Sequence, residues 1–306
     1  MFYNYFDLQQ KRVKVYYIIA NEGHIHGKGA EKLQSVKDVF TAAGKQFEVL
    51  FTKREGDAKK LTEKITSDGE SNVIVAMGGD GTLHDVVNGF KDFEKNSLGL
   101  IPFGTGNDFA AAAKIPTDVK KAAQIIAFRA PQPIDFIQLS SGVRSINAVG
   151  MGIDVDVLNR TYAGKSTKKS KYLKALIVSL IKFRSCNFTI QYEGIEEKHF
   201  GLIAAVGNGR QIGGGIKLFP EADIKDGYLD LFMVDYISKP KILGAFIKLM
   251  RGKVNSIKGA KAVRVKSARL IPESGEFYIQ ADGELYKNTP IDAEVVSGKL
   301  KFYLPY

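Results

Sequence analysis

Two short glycine-rich segments carry carboxylates and hydroxyls at positions where a protein could hold a phosphate group. The first, residues 78–82 (GGDGT), follows the apolar run 73–77, which predicts a strand buried on both faces. Glycines leave backbone N–H groups open to a ligand, and the N-terminus of a helix favours negative charge. This segment is suited to bind phosphate, although a bare Gly-Gly-x-Gly is equally compatible with a purely structural turn.

A second segment of this kind, residues 103–108 (FGTGND), follows the next predicted strand. Because the carboxyl ends of parallel strands meet at one edge of a sheet, we expect both turns to face one crevice. Mg²⁺ prefers oxygen ligands from one or two carboxylates, waters and substrate phosphates. The paired turns therefore predict a nucleoside triphosphate with Mg²⁺. Their polar side chains are Asp80, Thr82, Thr105, Asn107 and Asp108.

The elements that position these turns alternate between strand and helix patterns. A helix is predicted directly after residues 78–82, because Leu83, Val86, Val87 and Phe90 recur at helical spacing. Alternating strands and helices predict a parallel sheet with helices on both faces. The other predicted elements are strands at 13–20, 47–52, 73–77 and 98–103, and helices at 29–43, ending at Gly44, and at 58–66.

After about Pro133 the pattern changes to short strands separated by turns. The predicted strands are 134–139, 144–149, 187–192, 201–206, 229–234, 262–270 and 277–281, with helical blocks at 169–183 and 239–250. This pattern predicts a mostly antiparallel, β-sandwich-like second domain with two helical segments. We expect an α/β nucleotide-binding domain over 1–133, a β-rich domain over 134–291, and a C-terminal stretch, 292–306, whose strand at 300–304 can return to either domain.

Composition and charge restrict the class of protein. The chain has 306 residues, a net charge of +11 and one cysteine, Cys186, which excludes an intrachain disulfide and fits a reducing cytosol. The stretch MFYNYFDLQQ lacks a positive start followed by an apolar core, so we expect no signal peptide. Residues 157–192 and 238–272 contain no acidic residue and many basic ones. Such surfaces attract anionic membranes or nucleic acid, or serve only solubility.

The most apolar stretch is residues 172–183, YLKALIVSLIKF. At about 1.5 Å per residue it is too short to cross the ~30 Å hydrocarbon core of a bilayer. Its flanking lysines fit a helix that lies on a bilayer surface. A buried core helix with lysine stems at its edges fits equally well.

The two glycine-rich segments together resemble the diacylglycerol kinase catalytic domain family, which includes bacterial soluble lipid kinases and the sphingosine and ceramide kinases. The blocks at 147–157, 206–231 and 279–290 match further family blocks in the same order, so the resemblance covers nearly the whole chain. It implies an ATP- and Mg²⁺-dependent lipid kinase. The expected reaction phosphorylates a membrane lipid hydroxyl, most simply converting diacylglycerol to phosphatidic acid.

The resemblance also implies roles for individual residues. Glu284, in the sequence DGE, would be the general base, and Asp80 would sit at the triphosphate and its metal, with Asp108 close by. A structural Mg²⁺ would bind the Asp226 side chain and backbone carbonyls at Asp223 and Tyr228. The residues implied in ATP binding are Asn21, Gly27, Thr52, Gly78, Gly79, Asp80, Gly81, Thr82, Thr105, Gly106, Asn107 and Asp108.

One segment departs from the family pattern. The first strand of the family usually ends in Asn-Pro followed by a Ser-Gly turn, but here Glu22 stands in place of the proline. Asn21 and Gly27 remain, so we expect a nucleotide loop of altered shape. His24 and His26 are interpreted as loop residues, because no cysteine or third histidine lies near them for a metal.

Two other functions remain open from the sequence. An NAD kinase shares the GGDGT turn but is expected to lack GTGND and the late DGE, and both are present here. A catalytically silent lipid- or nucleic-acid-binding member would use the basic surfaces alone, but the acids at 80, 108, 226 and 284 argue for chemistry. We expect ATP, a membrane lipid and an anionic membrane surface as partners, at the inner face of the membrane in the cytoplasm. We expect no nucleic acid as a partner, because the sequence has no zinc-ligand set and no RNP-like aromatic motif. A homodimer is compatible with the sequence.

Overall fold

The first part of the chain folds into four parallel strands flanked by helices. The computed structural model describes residues 14–162, 169–273 and 275–306, and for 169–174 it describes the backbone. Residues 1–10, the start of the predicted strand at residue 13, and Lys165 and Lys168 of the first basic run lie outside these ranges. The strands are β1 (Tyr16–Asn21), β2 (Phe47–Thr52), β3 (Val73–Gly78) and β4 (Ser97–Pro102), in the spatial order β2-β1-β3-β4.

Five helices accompany these strands in the described part of the chain. They are α1 (Lys28–Ala42), α2 (Asp57–Thr66), α3 (Asp80–Gly89), α4 (Asp108–Ala112) and α5 (Val119–Phe128). Every residue of β3 and β4 is buried, as expected for central parallel strands with helices on both faces. The apolar stripe of α3 is buried too, and Gly44 after α1 has φ 62°, the left-handed conformation typical of a residue that ends a helix. The predicted parallel sheet is confirmed.

The second part is built mainly from antiparallel strands, as predicted. Its strands are β5 (Gln132–Leu139), β6 (Arg144–Ser145), β7 (Ala148–Gly152), β8 (Cys186–Tyr192), β9 (Ile195–Gly207), β10 (Leu229–Asp235), β11 (Ala260–Val265), β12 (Ser267–Pro272), β13 (Tyr278–Ala281), β14 (Glu284–Lys287) and β15 (Ile291–Phe302). Its helices are α6 (Ile153–Tyr162), α7 (Lys169–Lys182) and α8 (Lys239–Met250). Helix α7 packs between α6 and α8.

Several predicted elements need correction. Among its described residues the second part has three α-helices rather than two, because α6 is helical although its apolar residues Ile153, Val155 and Val157 alternate with polar ones as in a strand. The predicted strand 262–270 is divided into β11 and β12, which pair with different neighbours. The predicted strand 144–149 is likewise divided into β6 and β7. Helix α5 was missed although its buried residues follow helical spacing.

Strand β15 links the two parts of the structure. It pairs antiparallel with β5 and β12, and its last residue, Phe302, pairs in parallel with Leu98 of β4. The strand predicted at 300–304 is the end of this longer strand. Because β15 runs through both parts, the boundary between residues 133 and 134 stays a prediction. Within the described ranges no helix is long and apolar enough to span a membrane.

Candidate active site

The first glycine-rich turn joins the end of β3 to the start of α3. Gly78 must lack a side chain because a Cβ atom there would overlap the side chain of Thr82, which folds back over the strand end. Gly79 precedes the first turn of α3, and Asp80 begins it. The N-terminus of α3, with its free backbone N–H groups, therefore lies at the carboxyl edge of the sheet.

The second turn lies against the first. Phe103 N donates a hydrogen bond of 2.8 Å to Gly78 O, and a Cβ atom on Gly104 would overlap the backbone of Gly79. Asn107, with φ 54°, shapes the turn by donating from its amide to Gly104 O at 2.9 Å. The two turns are side by side, as their positions after neighbouring strands predict.

Asp80 connects the two turns through its carboxylate. It accepts hydrogen bonds from the backbone N–H groups of Asp108 (3.2 Å) and Phe109 (3.4 Å) at the start of α4. Burial, and secondarily the charge of Asp108, raise the pKa of Asp80 to about 6. A carboxylate in this situation gains from a nearby cation, which would offset both effects.

Asp108 points towards the second part of the chain. Its carboxylate accepts hydrogen bonds from Gly214 N at 2.9 and 3.0 Å and from Gln211 Nε2 at 2.9 Å. Burial raises the pKa of Asp108, and the Gly214 donor opposes that rise. Asp108 thus anchors the glycine-rich loop at 213–215 over α4, so its place beside a metal stays a prediction.

Glu284 reaches the first turn from the far end of the sequence. Asp282 (φ 52°) and Gly283 (φ 93°) form the two-residue turn between β13 and β14, with the two positive φ angles of a type I′ turn. This turn places Glu284 Oε1 2.8 Å from the position of a Cβ atom on Gly81. Burial raises the pKa of Glu284, and the positive charge of His84 partly opposes this.

The other residues implied in ATP binding lie along the same edge. Asn21 and Thr52 are paired at the ends of β1 and β2, and Asn21 accepts a hydrogen bond of 2.9 Å from Gly23 N. A short 3-10 helix, Glu22–His24, occupies the segment where the family has proline. Gly27 has φ 51°, which explains why glycine is needed there. Thr105 and Gly106 line the same cavity as Asp80.

The loop implied in a structural metal site has its own contacts. Asp223 accepts from Lys225 N, and Asp226 accepts from Tyr228 N and lies 3.3 Å from Arg264. A carboxylate with neighbouring carbonyls is a donor type that Mg²⁺ accepts. No group of three or more His, Cys, Asp or Glu side chains in the described residues could hold a metal. The structural ion stays a prediction.

A cavity of ≈780 Å³ extends from the glycine-rich turns into the second part. Asp80, Gly81, Thr105 and Glu284 line its polar end. The rest is mostly apolar and is walled by α6, α7 and α8; representative lining residues are Val157, Leu176, Leu180, Ile242, Phe246 and Leu249. Its volume lies within the range of small-molecule sites. The two glycine-rich turns therefore border an apolar chamber.

Two polar side chains in this chamber were missed from the sequence. Asp154 and Gln280 are 9% and 3% exposed and both line the cavity. Among residues 14–162, 169–273 and 275–306, no group donates a well-formed hydrogen bond to either carboxylate oxygen of Asp154, although the Gln280 amide lies nearby. Burial raises the pKa of Asp154 to about 6. The signal in the sequence was that Asp154 lies in the block 147–157 and Gln280 in the block 279–290.

Comparisons with known proteins agree with this geometry. Residues 15–139 match the model of the diacylglycerol kinase catalytic domain, and residues 147–304 match that of the YegS C-terminal NAD kinase beta sandwich-like domain. A Xanthomonas campestris protein named "Probable lipid kinase YegS-like" is 32% identical over 92% of this chain and 94% of that protein. A Pseudomonas aeruginosa protein of the same name is 29% identical over 92% and 93%.

Solved structures share the fold. A diacylglycerol kinase from Bacillus anthracis superposes with a TM-score of 0.73 at 23% identity, covering 96% of this chain and 98% of that one. An NAD kinase from Archaeoglobus fulgidus in complex with ATP gives a TM-score of 0.50 at 12% identity, covering 94% and 93%. At these identities the likeness concerns the fold alone. The two domain models together span most of the sequence, and the chain belongs to the diacylglycerol kinase catalytic domain family.

Proposed function

We propose that the protein is an ATP- and Mg²⁺-dependent lipid kinase that phosphorylates the hydroxyl of a membrane lipid, with diacylglycerol as the preferred acceptor and phosphatidic acid as the product. The observation that carries the proposal is the cavity that joins two glycine-rich turns to an apolar chamber. A polar acceptor such as NAD would bury polar groups against these mostly apolar walls without hydrogen-bond partners, which is costly. A lipid acyl chain matches it.

The nucleotide is proposed to bind with its phosphates at the turns after β3 and β4. The N–H groups at the start of α3 favour anionic oxygens. The donor set fits a magnesium site formed by the Asp80 carboxylate together with substrate phosphate oxygens and water. When bound, Mg²⁺ would neutralise charge on the phosphates. Asp80 then has two tasks, since its carboxylate also holds the start of α4.

Glu284 is proposed to accept the proton of the lipid hydroxyl. As this proton leaves, the hydroxyl oxygen forms a bond to the γ-phosphorus, the bond from that phosphorus to the bridging oxygen breaks, and ADP departs. Glu284 suits the task because its carboxylate borders Gly81 in the first turn of α3. A carboxylate free of the metal can accept a proton, and burial raises its basicity.

The chamber also offers polar contacts to the lipid head. The Gln280 amide nitrogen lies near Asp154 but makes no well-formed hydrogen bond in the described part of the chain, and it suits an ester carbonyl. Asp154, with a pKa of about 6, accepts a hydrogen bond when ionised and donates one when protonated. A lipid with one hydroxyl and neighbouring ester groups, as in diacylglycerol, uses both residues.

The outer faces of α7 and α8 are proposed to dock on an anionic membrane. Ile177 and Ile181 on α7 and Leu243 and Ile247 on α8 are 43–62% exposed, beside the cavity walls. The inner side of α7 is buried at Ala175 and Leu176, as in a core helix, and its exposed isoleucines support the proposed docking. Apolar side chains bordered by cations suit a bilayer surface. The exposed cations are Lys182, Lys239, Lys241, Lys248, Arg251 and Lys253.

The decisive experiment offers the purified chain ATP labelled in its γ-phosphate, with Mg²⁺ and mixed micelles of diacylglycerol or, in parallel, NAD. We expect label in phosphatidic acid and none in NADP. Monoacylglycerol and ceramide micelles test the choice of lipid. Label in NADP alone would assign the chain to the NAD kinases, and ATP binding without transfer to any acceptor would identify a silent binding protein.

A further inference from the structure

His84 connects helix α3 to the hairpin that carries Glu284. Its side chain is almost fully buried. Its Nδ1 lies 2.9 Å from Asp282 Oδ2, and its Nε2 lies 2.6 Å from the Tyr286 hydroxyl. The histidine therefore contacts the residue two before Glu284 and the residue two after it.

Asp282 is the fixed end of this arrangement. Its carboxylate accepts hydrogen bonds from Ser145 Oγ at 2.6 Å and from the backbone N–H groups of Ile146, Asn147 and Ala148 at 2.9–3.2 Å. Burial alone would raise the pKa of Asp282, but His84 and these donors lower it. The hairpin turn is therefore anchored on one side to the β6–β7 region and on the other side to α3.

Tyr286 fixes the direction of the strand after the turn. Side chains two apart on a strand point to the same face, so Glu284 and Tyr286 face the same way on β14. The bond from Tyr286 to His84 thus turns the face that carries Glu284 towards α3. Gly81, against which Glu284 lies, belongs to the first turn of that helix.

We propose that His84 is a positioning residue that sets the Glu284 carboxylate against the phosphate-binding turn by holding both flanks of the β13–β14 turn. The inference rests on the proposed function, in which Glu284 is the base. A side chain on α3 is well placed for this task because the helix begins within the turn that would hold the phosphates. One rigid element, helix α3, then positions both the proposed base and the proposed phosphate site.

The test is a double-mutant cycle on lipid phosphorylation. The variants are His84→Gln, Glu284→Gln and both together. Tyr286→Phe is a milder change that removes only the hydrogen bond between Tyr286 and His84 Nε2 and leaves the 3.3 Å contact of that nitrogen with Asn88. His199→Gln is the matched control, because His199 also bonds a carboxylate (Asp235, 2.8 Å) but does not line the cavity. Each variant is measured for kcat, the KM for ATP and the melting temperature.

We expect His84→Gln to lower kcat about 10- to 100-fold, as for a misplaced catalytic group, with the KM for ATP within twofold of wild type. In the Glu284→Gln background the same change should lower kcat no further, because His84 acts through Glu284. Tyr286→Phe should show a smaller loss of the same kind, and His199→Gln should keep its kcat.

Two outcomes would overturn the inference. A full additional loss in the double mutant, or a His84→Gln variant with wild-type kcat, would mean that His84 does not act through Glu284. Failure of the proposed function looks different, since wild-type protein would then phosphorylate no lipid. If the wild-type protein is active and Glu284→Gln keeps a near-normal kcat, Glu284 is not the base. His84 then has no base to position, and the inference fails with it.

Discussion

The Glu284 carboxylate borders the backbone of Gly81, with Oε1 2.8 Å from where a Cβ atom on that glycine would lie. Gly81 is in the first turn of α3, and Glu284 begins a strand near the end of the chain. The absence of a side chain at position 81 therefore leaves room for a carboxylate beside the first glycine-rich turn. This contact brings segments that are far apart in sequence together at the proposed phosphotransfer site.

Gly81→Ala should displace Glu284 without unfolding the protein. The new methyl group meets only the far end of a flexible side chain, and Gly81 has ordinary helical backbone angles, so the melting temperature should stay near wild type. Lipid turnover should fall about 10- to 100-fold because the base moves. Kinetics and thermal melting check this, and wild-type turnover would show that the contact does not matter.

Glu284→Gln should lower turnover by roughly 10²- to 10⁴-fold, the usual contribution of a general base. Glutamine keeps the size of the side chain but cannot take a proton, so ATP affinity should stay near wild type. Asp80→Ala should weaken binding of Mg²⁺–ATP as well as turnover. Calorimetric ATP titration distinguishes the two variants, and equal effects on ATP binding would contradict the division of roles.

Asp154→Asn should stabilise the fold at the expense of activity. The pKa of Asp154 rises from 3.8 unfolded to about 6 folded, so between these values the native state holds more protons and its stability falls as pH rises. The difference corresponds to at most about 3 kcal/mol. Urea unfolding should show that the free energy of unfolding of the variant exceeds that of wild type by little near pH 4 and by most near pH 8. Its lipid turnover at pH 8 should be lower than that of wild type. A gain independent of pH would mean that this carboxylate is not the cause.

Changing Leu243 and Ile247 together to Ser should weaken binding to anionic vesicles by tenfold or more, because each buried aliphatic side chain contributes about 1.5–3 kcal/mol. Activity on a short-chain soluble diacylglycerol should change little. Phe128→Ser is the control, since Phe128 is 66% exposed but lies on α5. Vesicle sedimentation measures the binding. An equal loss of vesicle binding in the control and in the double variant would mean that this face of α8 is not the membrane-docking surface.

Asp226→Ala should reduce the rise in melting temperature that Mg²⁺ gives in the absence of nucleotide. A ligand that binds the native state stabilises it by mass action, and the variant lacks the carboxylate implied in the structural site. Arg264→Ala is the comparison variant, because the Arg264 guanidinium lies 3.3 Å from the Asp226 carboxylate and would compete with Mg²⁺ for it. If Mg²⁺ raises the melting temperature of Asp226→Ala as much as that of wild type, the predicted structural ion does not bind at Asp226.

The sequence alone determined the local elements and the chemistry they carry. The buried run of β3, the helical spacing in α3 and the Asp-Gly turn before Glu284 are local patterns, because periodicity and glycine conformation act over a few residues. These patterns predicted the parallel sheet and the paired turns. They also predicted α8 at its observed bounds.

Only the tertiary structure decided what each polar group contacts. The Asp108 carboxylate, predicted close to the triphosphate and its metal, accepts a hydrogen bond from the loop at Gly214. His84, to which no sequence motif assigned a role, bonds Asp282. The apolar chamber and the buried Asp154 carboxylate that lines it likewise depend on how α6, α7 and α8 pack together. A carboxylate's partner is chosen by contacts between segments distant in the chain, and no local pattern records those distances.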